Sequence, residues 1–367
     1  MPLLIAMTGL GFSGYSALLP VAPMWAVAGG ASPAGAGSVN GVLMLFTVLA
    51  QLGVPASLRR FGWRPVLVAG MLLLGLPSAA FIFSNELLPV LAVSALRGLG
   101  FGILTVTGSL LVAELVNPAR RGRAIGVYGL AIAAPQVLFV STGPWIVEQL
   151  GFELIFAIGL LPAVGALPAL VLGARVERVP EVAEPAPYSR LVPPMVLLLA
   201  VTLAGGALIT FMVQMSHSAA LSMAALLFVT VAAAVTRWLV GPLSDRFGPR
   251  IFVWPLVINT SVGMTTIAWA VIDPQATHAG MLILGASLVG ISYGGLQNLT
   301  LVMSFQVVER PHYGSASAVW NIGFDIGTGL GAVVIGAIAA GASFSTAMIV
   351  GGAISLLTLP LALRRGR

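Results

Sequence analysis

Long apolar runs, each ended by a short polar segment, succeed one another along the whole chain. A helix of about 20 apolar residues crosses a hydrocarbon core of roughly 30 Å. Twelve runs reach that length, at 3–28, 39–58, 66–84, 88–115, 124–147, 154–173, 192–216, 218–243, 251–272, 280–308, 316–340 and 344–363. Some exceed it, so tilt or extension past the bilayer is expected. The first run begins almost at Met1 without a basic leader and outlasts a signal peptide's apolar region, which predicts a retained helix.

The polar segments carry a repeat. RFGWR at Arg60 to Arg64 returns as RFGPR at Arg246 to Arg250, 186 residues later, and RRGRA around Gly122 is echoed 192 residues later by HYGSA around Gly314. Between the halves lies the polar, proline-rich stretch from Arg175 to Pro194, with Glu177, Glu181 and Glu184 among Pro180, Pro185 and Pro187. It is the plausible linker, and it predicts a six-helix bundle at 1–174, a cytoplasmic linker at 175–191 and a second six-helix bundle at 192–367. Two similar halves suit a transporter that works by rocking one half against the other around a central site.

Composition narrows the class further. With 58% hydrophobic residues, 8% charged and a mean hydropathy of +1.04, the chain is expected to be an all-α, multi-pass membrane protein rather than a soluble globule. The pI of about 10.7 does not signal nucleic acid, because the arginines are scattered over short loops. Cysteine is absent, and His217, His278 and His312 show no metal-ligand spacing, so no metal, cofactor, disulfide or thiol chemistry is expected. Lysine is absent too, which removes a Walker-type phosphate cradle. An intramembrane enzyme would need a nucleophile or metal constellation that the chain does not offer.

The arginines set the orientation. With both termini cytoplasmic, Arg59, Arg60, Arg64, Arg120, Arg121, Arg123, Arg175, Arg178, Arg190, Arg246, Arg250, Arg310, Arg364, Arg365 and Arg367 all fall inside, and the outer loops hold none. The positive-inside rule therefore supports an even number of spans, in a cytoplasmic (inner) membrane.

The stretch GPLSDRFGPR, from Gly241 to Arg250, reads as a tight cytoplasmic turn. Gly241 allows close helix approach, Asp245 can accept from free backbone donors at a helix start, Gly248 permits the turn, and Arg246 and Arg250 hold it on the cytoplasmic side. The pattern G-x-L-x-D-R-x-G-x-R resembles the signature loop of the major facilitator superfamily. LRGLGFG, from Leu96 to Gly102, resembles that superfamily's fourth-helix motif, and NPARRGRAIGVYG, from Asn117 to Gly129, resembles the segment that follows it in bacterial efflux-type members. The resemblance covers nearly the whole chain. It implies twelve helices in two pseudo-symmetric bundles, transport by alternating access, and a conformational role for Asp245. Two departures stand out: Arg59 takes the place of Asp245 in the first-half loop, and the fifth helix, with Gly126, Gly129, Pro135, Gly143 and Pro144, lacks the full glycine spacing of proton antiporters.

Two charges fall deep in spans. Arg97 lies within the fourth, and Asp325 lies on the eleventh, roughly 14 Å from its start at about 1.5 Å per residue. Such depth costs at least about 2.5 to 3.5 kcal/mol, so each should face protein or a wet cavity and have a partner. Asp325 is the candidate proton carrier with Arg97 shaping its field; a structural ion pair is the alternative. Arg237 reads instead as a snorkelling side chain near a helix end, and Glu114 as a solvated one. The resemblance places helices one, four, seven and ten around the solute, which nominates Tyr15, Arg97, Thr210, Gln214, Tyr293, Gln297 and Asn298 as lining, with Asn40, Gln51 and Asn321 adding to the pathway. The resulting expectation is a monomeric, proton-linked exporter of a small, amphipathic or weakly charged organic solute. An uncoupled facilitator or importer and a membrane subunit of another transport system are the rivals.

Overall fold

The computed structural model describes residues 1–31, 33–177, 186–216, 218–273 and 276–363, and among them there is no strand. Twelve helical spans are long and apolar enough to cross a membrane. They are α1 (Pro2–Ala28), α2 (Ser38–Phe61), α3 (Trp63–Phe83), α4 (Leu87–Leu115), α5 (Pro118–Val140) and α6 (Phe152–Arg175), followed by α7 (Tyr188–Phe211), α8 (Ala220–Phe247), α9 (Arg250–Ala270), α10 (Ala279–Gln306), α11 (Arg310–Ala339) and α12 (Phe344–Leu363). Helix is the form that lets a chain in hydrocarbon satisfy every backbone polar group within one segment.

All twelve expected runs are found, but the ends differ where loops carry charge. α8 runs on to Phe247, so most of Gly241 to Arg250 is the last two turns of a helix, and the turn proper is Gly248 and Pro249. Gly248 has φ 82° and its counterpart Gly62 has φ 79°, a region open to glycine at little cost. Helix reaches Arg175 and resumes at Tyr188. Arg178, Pro180, Glu181, Glu184, Pro185, His217, Arg364, Arg365 and Arg367 lie outside the described residues.

The chain divides into two compact units. The first takes in Met1–Asn117, Leu130–Pro185 and Arg310–Ala318; the second takes in Pro118–Gly129, Ala186–Glu309 and Val319–Arg367. The opening of α5 thus groups with the second unit, and the opening of α11 with the first. Within the first unit, Leu18, Val21, Phe81, Val90, Ile155 and Phe156 form a buried cluster, with the Trp25 indole donating to the carbonyls of Phe81 and Ser84. Within the second, Leu203, Ala207, Met212, Val229, Met264, Ile267, Val289 and Met348 do the same.

Each unit also contains a seam of glycine against carbonyl. A methyl group on Gly98 or Gly102 of α4 would run into the carbonyl oxygen of Leu43 or Thr47 on α2, and one on Gly290 or Gly294 of α10 into that of Val229 or Ala233 on α8. The helices are separated along the chain by the same 192 and 186 residues as the loop echoes. Small residues four apart let helix backbones meet closely in a membrane, so the repeat is a repeat of packing as well as of letters.

Candidate functional site

Asp245 stands in the last turn of α8, and its carboxylate accepts from the backbone N–H of Gly122 (2.7 Å) and Arg123 (2.9 Å). Regular helix in α5 begins at Arg121, so these are first-turn donors with no intrahelical acceptor, at the positive end of the helix dipole. The contact demands glycine on both sides. A Cβ on Gly241 would strike the Gly122 carbonyl oxygen, and one on Gly122 would lie 2.5 Å from the Gly241 carbonyl oxygen and 2.7 Å from Asp245 Oδ1. From α10, the buried Asn298 amide donates to the carbonyls of Gly122 (3.0 Å) and Arg237 (2.9 Å), tying the two helices together.

About two turns further into α8 lies Arg237, which is buried at 9% exposure. Its Nη1 donates to Gln297 Oε1 of α10 at 2.9 Å, and Tyr128 and Tyr293 are its electrostatic neighbours. Its buried Nε has no hydrogen-bond acceptor. Gly129 lies against the guanidinium: a Cβ there would meet Nε and come within 2.6 Å of Cδ. The snorkelling reading is therefore corrected. Because α8 extends to Phe247, Arg237 is roughly 15 Å from the helix end, beyond the reach of its own side chain.

Glu114 also differs from its sequence reading. Its side chain is only 4% exposed and accepts from Arg310 Nε at 3.0 Å, while Arg310 Nη2 reaches the exposed Glu177 at 3.2 Å. The opening of α11 covers this carboxylate within the first unit and supplies its counter-charge.

Arg97 is wholly buried in the first unit, donating from Nη2 to the Gly14 carbonyl (3.0 Å) and from Nε to that of Leu74 (3.4 Å). Backbone dipoles take the place of the carboxylate partner that its depth suggested. Tyr15, its electrostatic neighbour, stacks on Phe101 with ring centroids 3.8 Å apart. Asp325 belongs to the second unit, is half-buried, and lies within electrostatic reach of Tyr293, whose hydroxyl is hydrogen-bonded to Thr328.

The remaining nominees scatter. Asn40 donates to the Leu19 carbonyl (3.0 Å), the fully buried Gln51 donates to Thr105 Oγ1 (3.2 Å), and Asn321 is buried on α11. Thr210 is exposed and bonded to the Gly206 carbonyl, and Gln214 is exposed in a short turn beyond the end of α7. Arg246 and Arg250 are exposed, Arg246 over the Phe247 ring. The structure thus gathers Gln297, Asn298 and Tyr293 around an arginine that the sequence reading had set aside. The repeat held the signal: Arg237 lies 186 residues after Gln51, and Gln297 lies 192 after Thr105, so the two contacts are counterparts.

Among curated proteins, a probable 4-methylmuconolactone transporter of Cupriavidus pinatubonensis is 27% identical over 154 residues, 41% of this chain and 35% of that one. A multidrug resistance protein B homolog of Mycobacterium tuberculosis is 31% identical over 133 residues, 36% of this chain and 24% of that one. These stretches take in about a third and a quarter of the relatives' lengths. The solved structure of the human organic anion transporter MFSD10 superposes with a TM-score of 0.80 at 16% identity, covering 98% of each chain, a likeness of fold. The family model of the Major Facilitator Superfamily matches residues 3–222 and 194–367; with both halves of the repeat inside those matches, the chain belongs to the Major Facilitator Superfamily.

Proposed function

We propose that this chain is a secondary active transporter that moves a small organic solute across the cytoplasmic membrane by alternating access, exporting it in exchange for protons. The observation that carries the reading is the Asp245 carboxylate on the first turn of α5, a helix whose remainder groups with the other unit. Two hydrogen bonds from one carboxylate form a contact that can be made in one conformation and released in another, which is what a two-state transporter requires. The transporters named above carry small organic molecules by their descriptions, and the multidrug relative favours export. This reading displaces both an intramembrane enzyme and a membrane subunit driven by a separate ATPase.

Proton coupling is assigned to Asp325. Arginine does not release its proton in proteins, and Asp325 lies deep within α11, whereas Glu114 and Asp245 stand near the ends of their helices. Asp325 is half-buried within electrostatic reach of Tyr293. In proteoliposomes, Asp325→Asn is expected to abolish solute accumulation driven by a pH gradient while sparing exchange at equal pH. Accumulation that survives in this variant would make Asp325 structural; wild-type transport indifferent to pH would make the protein an uncoupled facilitator. The cytoplasmic placement of both termini has its own check, since the chain lacks cysteine. Single cysteines at Ala31 and Ser343 should react with an impermeant thiol reagent on intact cells, and one at Ala119 should not. Reaction at Ala119 would reverse the orientation.

A further inference from the structure

We propose that Arg237 is an anion-recognition residue and that the solute of this transporter bears a carboxylate. The inference deepens the transport reading and rests on it. A guanidinium buried in a membrane span is expensive unless it is paired, and a retained one marks a functional site by default. Gln297, Tyr128 and Tyr293 surround Arg237, and all three are neutral. Among the described residues, its hydrogen-bond and electrostatic partners include no carboxylate, and its buried Nε has no acceptor.

The first unit shows that packing does not call for this charge. At the matching place between α2 and α4, Gln51 is fully buried and donates to Thr105 Oγ1 at 3.2 Å, beside the same kind of glycine seam. A neutral amide and a hydroxyl fill the seat that Arg237 and Gln297 fill between α8 and α10. The cation is therefore surplus to the helix crossing, and the missing acceptor is what a carboxylate brings: two coplanar oxygens that fit the guanidinium fork.

Access follows from what lies over the group. Gly129 lies over the guanidinium edge, close enough that any side chain there would collide with it, and Gly126 lies against the backbone of Arg237 and Trp238. Both glycines belong to Pro118–Gly129, the opening of α5 that Asp245 holds. Withdrawal of this segment would uncover Arg237, so release of the Asp245 contact and exposure of the anion seat are one event.

The test measures binding alone, so it does not depend on transport or coupling. Purified full-length protein in detergent is titrated with sodium acetate, benzoate and 1-naphthoate, each against its own amide and against sodium nitrate, with thermal stabilisation as the readout. At least one carboxylate should stabilise the wild type at concentrations where its amide and nitrate do not. Arg237→Gln, which copies the Gln51 seat, should weaken that carboxylate at least tenfold; Arg237→Lys should weaken it less and keep the preference over the amide. Should Arg237→Gln fail to fold, the lysine variant decides: weaker carboxylate binding than wild type with the preference over the amide kept supports the seat, and unchanged binding or loss of that preference overturns it. The proposal is also overturned if no carboxylate outperforms its amide, if nitrate matches the carboxylates, or if Arg237→Gln folds and binds them unchanged. Carboxylate binding without transport would leave the seat standing and remove the transporter reading; transport of a neutral solute without carboxylate binding would do the reverse.

Discussion

Gly122 and Gly314 occupy matching places at the openings of α5 and α11, as Gly241 and Pro55 do near the ends of α8 and α2. In the second unit the two glycines meet backbone to backbone, and a Cβ on Gly122 would lie 2.5 Å from the Gly241 carbonyl oxygen. In the first unit, a Cβ on Gly314 would lie 3.6 Å from Pro55, ordinary contact. The chemistry around each pair differs in the same sense. Asp245 caps α5 through backbone donors and Asn298 bridges to the Gly122 carbonyl, whereas the first unit has the exposed Arg59 in place of the aspartate. There the opening of α11 is held by Ser317, which donates to the Val106 carbonyl (2.7 Å) and lies 2.6 Å from Ser109, and by Arg310 on Glu114. One scaffold supports two kinds of junction. The tight, charge-assisted one concentrates its strength in a few atoms, and the looser one spreads it over hydroxyls and a half-exposed ion pair.

Alanine should separate the two glycines most. Gly122→Ala is expected to cut transport more than tenfold and to lower the melting temperature, because Gly241 and Asp245 backbone and carboxylate atoms cannot both retreat. Gly314→Ala should stay within about twofold of wild type, since it meets only van der Waals contact. Equal tolerance at the two sites, measured by initial rates and membrane abundance, would erase the comparison.

Asp245→Asn should come next. Losing the charged acceptor on Gly122 and Arg123 is expected to remove about 1.4 kcal/mol, which shifts a two-state balance tenfold and slows transport without lowering membrane abundance. The mirrored Arg59→Asp should change rates by no more than about threefold. Normal transport by Asp245→Asn would mean that the cap is incidental.

The ion pair of the first unit should give the smallest effects. Glu177 is 82% exposed, and its pair with Arg310 should contribute no more than about 1 kcal/mol, so Glu177→Gln is expected to leave transport and melting temperature unchanged. Arg310→Gln should cost more than Glu177→Gln, because it strands the nearly buried Glu114 carboxylate. Thermal melts of the two variants in one detergent would order them, and the opposite order would place the Arg310 contact on Glu177 instead.

Much of this site was visible along the chain, though not in its true arrangement. The Gly241–Arg250 motif pointed to Asp245 and to backbone donors at a helix start, and the family resemblance nominated Gln297 and Asn298 on the tenth helix. Arg237 was misplaced because a helix end predicted four residues early put it within snorkelling distance of the surface. Glu114 was misplaced because its partner Arg310 lies 196 residues away.

What the sequence determined by itself is the set of spans and their duplication. Hydrocarbon leaves the backbone few ways to satisfy its polar groups, so an apolar run of sufficient length becomes a helix wherever it sits, and the recurrence of RFG and of the glycine pairs carries the same packing into both halves. Only the tertiary structure decided which charges are answered and by what. Arg97 is met by the carbonyls of Gly14 and Leu74 with its Nη1 left without an acceptor, Glu114 by Arg310, and Arg237 by neutral groups that leave its Nε unmet. The physical reason is range: hydropathy acts on each run separately, whereas the pairing of a buried charge depends on which distant helices are brought within about 3 Å of it.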